Sequence, residues 1–67
     1  MEIRSIVTLH GNKIMDIGES SGKTSIEFYP QEIQTVIYRG KHRTIKLAKI
    51  EYNGKTQVLS LLWQVID

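Results

Sequence analysis

Residues 43–66, RTIKLAKIEYNGKTQVLSLLWQVI, read as two strands around an Asn53-Gly54 turn, and their pairing decides the fold. Alternation places Arg43, Ile45, Leu47 and Lys49 on one face of the first strand and Thr44, Lys46, Ala48 and Ile50 on the other. A two-residue Asn-Gly turn would set Lys46 opposite Leu61 and Ile50 opposite Gln57, mixing polar and apolar side chains on both faces. A three-residue loop with Gly54 in the left-handed conformation instead pairs Glu51 with Lys55, Lys49 with Gln57, Leu47 with Leu59, Ile45 with Leu61 and Arg43 with Trp63. That bulged register groups the aliphatic side chains, so it is the expected one, and it makes Gly54→Val strongly destabilising.

The second half of this hairpin, Val58 to Ile66, is apolar on both faces apart from Ser60 and Gln64, so the strand needs cover on both sides. The cover can come from barrel closure or from a second copy of the chain, and a twofold homodimer is the expected form of the latter.

Outward from the hairpin, glycines at 11, 18, 22 and 40 cut the remaining chain into strand-length pieces. Strands are expected near residues 2–9, 13–17, 24–29, 33–39, 43–51 and 55–66. At Tyr29-Pro30-Gln31-Glu32 the proline cannot donate to a ladder, so at most one short helical turn is expected there. Composition agrees: Ile, Val and Thr are abundant, and the best helix former, Ala, occurs once. The fold class is therefore all-β, a small antiparallel meander of about six strands closing into a barrel. In strand number and turn placement it is similar to small SH3-like, Sm-like and OB-like barrels, a likeness that carries no residue assignments.

With 67 residues, the chain has room for one domain, 1–67. Lacking cysteine, it has neither disulfides nor thiolate metal ligands to supplement a small core, which points to tight packing or oligomerisation in a reducing cytoplasm. No apolar run reaches the roughly 18 residues of a membrane span, and MEIRSIVTLHGNK lacks the apolar region of a signal peptide.

Gly18-Glu19-Ser20-Ser21-Gly22-Lys23-Thr24 ends like a phosphate-binding loop, but one residue is missing between its glycines and a strand-like Ser25-Ile26-Glu27-Phe28-Tyr29 follows where a helix is required. His10 and His42 have no third ligand near them in sequence, and Ser20 and Ser21 have no evident base. Asp16 with Glu19 and Glu27 with Glu32 lie at strand and loop ends rather than in a cleft that would set acid and base roles. No catalytic residue, metal or cofactor is expected.

Charge layout is more informative. Residues 33–50 contain no acid and carry Arg39, Lys41, Arg43, Lys46 and Lys49, while the rest of the chain holds four basic and seven acidic residues. These cations, with His42, are the expected contacts to an anionic ligand, nucleic acid first. Tyr38, Tyr52 and Trp63 would serve for stacking if exposed beside them. Trp63 also alternates with Leu59, Leu61 and Val65, which is the pattern of a core residue. Two alternatives stand beside this reading. One is a homo-oligomer that sequesters a nucleotide or other small phosphorylated ligand; the other is a protein-interaction or inhibitor module acting through a strand edge or apolar patch.

Overall fold

Residues 1–20, 22, 29 and 31–67 are described in the computed structural model. They form five strands, β1 (Glu2–Leu9), β2 (Asn12–Ser20), β3 (Ile33–Tyr38), β4 (Lys41–Asn53) and β5 (Val58–Val65), in one sheet of order β2-β1-β5-β4-β3. The sheet curls into a half-barrel, so the all-β expectation holds, with five strands among the described residues. The strand expected over 24–29 lies, but for Tyr29, outside the described residues. So does Pro30. Past it, where at most one short helical turn was expected, Gln31 has a left-handed φ of 59° and the Glu32 N–H donates to the Tyr29 carbonyl at 3.1 Å.

Three joins are antiparallel, as in a meander, but β1 and β5 run parallel, with Val7 beside Trp63 and Ile3 beside Leu59. The parallel join places the most apolar strand at the centre of the sheet. Flanked by β1 and β4, β5 has ladder partners on both edges, so its VLSLLWQV sequence does not form a bare edge strand.

Two hairpin turns owe their shape to glycine. His10 and Gly11 have φ of 52° and 81° between the paired residues Leu9 and Asn12; Arg39 and Gly40 have φ of 51° and 75° between Tyr38 and Lys41. Positive φ at both central residues defines the type I′ turn, whose twist matches that of the flanking strands.

The β4–β5 hairpin departs from the expected register. Asn53 pairs with Val58, Tyr52 with Leu59, Glu51 with Ser60 and Ile50 with Leu61, leaving a four-residue loop of Gly54, Lys55, Thr56 and Gln57. The Asn53 side chain explains the longer loop, since its Oδ1 accepts from the backbone N–H of Lys55 at 3.0 Å and of Thr56 at 3.3 Å. A bulge at Ala48 then shifts the pairing, after which Leu47 lies opposite Trp63 and Ile45 opposite Val65. Without the bulge, Lys49 and Glu51 would share the face of Leu47 and meet Leu61 and Leu59. With it, alternation is reset and Ile50 and Tyr52 take those places.

The left-handed residue in this loop is Gln57, with φ 55°, and not Gly54. A Cβ on Gly54 would meet the Tyr52 ring at 3.8 Å, an ordinary contact. Gly54→Val is therefore expected to leave stability within about 0.5 kcal/mol of the parent, whereas Gln57→Gly should raise it by roughly 0.5–1 kcal/mol, because glycine relieves the left-handed strain. Urea melts of the two variants decide the point: a large loss on Gly54→Val would restore the three-residue loop.

The core lies on the concave face. Val7, Ile45, Leu47, Leu61 and Trp63 are buried there, with Ile3, Ile14, Met15, Val36 and Val65 packed around them. On the opposite, convex face Arg4 holds Asp16 through two hydrogen bonds, from Nε at 3.1 Å and from a terminal nitrogen at 2.8 Å, and Lys13 reaches the same carboxylate at 3.4 Å. The hydrogen bonds from Arg4, joined by Lys13, hold the Asp16 carboxyl below the usual carboxylate range. A carboxyl whose pKa is depressed on folding adds stability above its unfolded pKa and loses it as pH falls through the folded value. Asp16→Asn should thus lower the melting temperature at neutral pH and cease to differ from the parent in strong acid. Melts across the acid range test this, and a constant difference at every pH would overturn it.

Candidate nucleic-acid interface

The β3–β4 hairpin carries the basic run, and its type I′ turn sets how the cations stand. Arg39 occupies the turn and lays its guanidinium over the Tyr38 ring, 5.4 Å from the centroid. Lys41, opposite Tyr38, and His42, opposite Ile37, are exposed at the start of β4. One hairpin end thus presents Arg39, Lys41 and His42 to solvent within four consecutive positions, beside a half-buried tyrosine.

The other expected contacts are partly withdrawn. Arg43 is half-buried on the concave face, and its terminal nitrogen lies 3.9 Å from the Asp67 carboxylate, which also accepts from the Thr44 N–H at 3.0 Å. Its Nε is buried with no hydrogen-bond partner. Lys49 pairs with Glu51 at 2.8 Å, and that hydrogen bond raises the lysine's pKa. The Ala48 bulge also moves Lys49 off the face of Ile45 and Leu47, where simple alternation puts it, onto the convex face with Lys46. Lys46 is half-buried between Ile33 and Gln64. Of the five cations in this stretch, Arg39, Lys41 and Lys46 have no ion pair among the described residues.

The stacking candidates separate. Tyr38 is at the basic end. Tyr52 is exposed but eleven positions further along β4 than Lys41, more than 30 Å by strand rise. Trp63 is 4% exposed and packs between Val7 and Leu47, so it is a core residue and not a surface platform.

A concavity lies inside the curl of the sheet, about 230 Å³ in volume, with Ile3, Met15, Ile17, Val36, Ile45 and Trp63 among its lining residues. Its charged group is Glu19, and no Lys or Arg contributes to its wall among the described residues, so it offers no counter-charge to a phosphate. Those residues also contain no helix long and apolar enough to cross a membrane and no group of three His, Asp or Glu placed to hold a metal.

What sequence reading missed is Asp67, which sits on β5's extension opposite Arg43 and is distant from it in the chain. The Lys49–Glu51 pair was open to it, since residues two apart on a strand share a face. No family model, curated protein or solved structure matches the chain.

Proposed function

We propose that the protein is a non-catalytic module that binds nucleic acid through the β3–β4 turn. The observation that supports this reading is the exposed, acid-free group of Arg39, Lys41 and His42 on a rigid type I′ turn, with Arg39 held over Tyr38. Such a turn meets phosphates with little loss of side-chain or backbone freedom, and the guanidinium–tyrosine stack presents a flat cationic surface to a base. Sequestration of a small phosphorylated ligand is less favoured, because the cavity inside the sheet is apolar and carries an acid.

Titration of the protein against labelled DNA and RNA at ~50 and ~200 mM salt tests the reading. Affinity should fall by about tenfold or more over that range, since each phosphate contact adds close to one unit to the logarithmic salt slope. Absence of binding at the lower salt would end it. A second reading, docking of an acidic protein surface, is favoured by Ile33 and Ile37, which are 57% and 63% exposed on the convex face opposite Lys46 and His42. Ile37→Ser would weaken such a partner and leave nucleic-acid affinity unchanged.

A further inference from the structure

We infer that two copies of the chain join through the outer edge of β3, in an antiparallel pair whose twofold axis passes through Thr35. The pairing needs no nucleic acid, and it covers Ile33 and Ile37, which are exposed in the single chain.

The two edges of the sheet are built differently. β2 carries Lys13, Asp16 and Glu19, and its ladder with β1 slips between Val7 and Thr8, so it has the charges and the irregularity that keep an edge from pairing. β3, with the sequence IQTVIY, has no charge, proline or glycine and pairs with β4 in unbroken register. Among the described residues it has no ladder partner on its other side. A neutral, β-branched edge of this kind is a template for another strand.

Alternation decides which groups that edge offers. The Glu32 carbonyl accepts from the Leu47 N–H at 2.8 Å, and a two-residue hairpin turn closes on a hydrogen-bonded pair, here Tyr38 and Lys41. Positions 32, 34, 36 and 38 therefore turn their backbone groups towards β4, and Ile33, Thr35 and Ile37 turn theirs outward. The same three residues put their side chains on the convex face, away from Val36, which packs against the core.

The strand is complementary to itself. An axis at Thr35 sets Thr35 opposite its own copy and Ile33 opposite Ile37 of the second chain, and each of the three residues then uses both its N–H and its C=O. Exposed isoleucine meets exposed isoleucine on either side of a threonine pair. Moving the axis to Gln34 or Val36 sets Thr35 against Ile33 or Ile37 and leaves the other isoleucine opposite Gln31 or Arg39, whose left-handed φ cannot continue a ladder. This self-match selects a second copy of the chain over an unrelated strand, and a twofold contact is the commonest form of such pairing. Six residues a side fall well short of the roughly 20–30 of a standard interface, so the dimer should form reversibly and depend on concentration.

Sedimentation equilibrium of the intact chain, without nucleic acid and from ~10 to ~500 μM, reads the association. The parent should pass from monomer towards dimer mass across that range. Thr35→Lys and Thr35→Glu each set like charges face to face at the axis and should weaken association by about fivefold or more. An equimolar mixture of the two variants should associate at least as well as the parent, because lysine then faces glutamate. Thr35 is exposed, so both variants should melt as the parent does at concentrations where it is monomeric. A parent that stays monomeric throughout overturns the pairing and returns Ile33 and Ile37 to the protein-docking reading. Variants that dimerise as the parent does, or a mixture no better than either variant alone, overturn the axis at Thr35.

Discussion

Trp63→Ala should abolish cooperative folding at physiological temperature or lower the melting temperature by at least ~15 °C. Truncating a buried tryptophan costs about 3–5 kcal/mol through lost burial and the cavity left behind. A chain of 67 residues has a total stability of only ~3–10 kcal/mol on the usual per-residue scale, and each kcal/mol moves the melt by roughly 4–8 °C at this size. Trp63 is also the point where three strands meet, opposite Val7 in the parallel ladder and Leu47 in the antiparallel one. Its loss opens a gap at both seams of β5, and neither Val7 nor Leu47 is long enough to fill it. Trp63→Phe should retain a sharp melt at reduced stability. Circular dichroism reads both variants, and intrinsic emission reads the parent, since this is the chain's one tryptophan. A Trp63→Ala melt within a few degrees of the parent would mean that the core lies elsewhere.

Arg39→Asp with Lys41→Glu is expected to reduce polynucleotide affinity by about 10²-fold or more at low salt. The change removes two phosphate contacts and sets two like charges against the backbone, and the salt slope should fall by about two units. Structure guides the choice of residues. Lys41 with Arg43 is the natural pair on sequence grounds, but Arg43 is half-buried and faces Asp67, so reversing it places two carboxylates together and confounds binding with stability. Arg39 and Lys41 have no such partner, and aspartate tolerates the positive φ at position 39. Lys55→Glu, in the loop at the opposite end of the sheet, serves as the control and should shift affinity only slightly. Undiminished binding by the 39/41 variant would remove the β3–β4 turn from the site.

Gly11 and Gly40 were legible as turns because a type I′ loop depends on conformations that few residues other than glycine adopt readily, a local demand written in the residue itself. The β5 sequence likewise announced its central place, since a strand apolar on both faces is intolerable at an exposed edge. The β4–β5 register was not legible. It turns on a side-chain cap from Asn53 and one bulged alanine, each worth little energy, and neither changes the apolar pattern from which a register is read. An error at that step carries forward: it misplaces Lys49 and assigns the left-handed conformation to Gly54 in place of Gln57.

What the sequence by itself determined is the strand class, the sites of reversal and a basic segment between residues 39 and 49, because these follow from periodicity, glycine and charge over a few neighbouring positions. Only the tertiary structure decided which of those cations face solvent free of an acid and that Trp63 belongs to the core. Each of these depends on the parallel β1–β5 join or on the β4–β5 register, contacts between residues far apart in the chain. Their energy comes from burying one apolar face as a whole, so no local stretch of sequence records it.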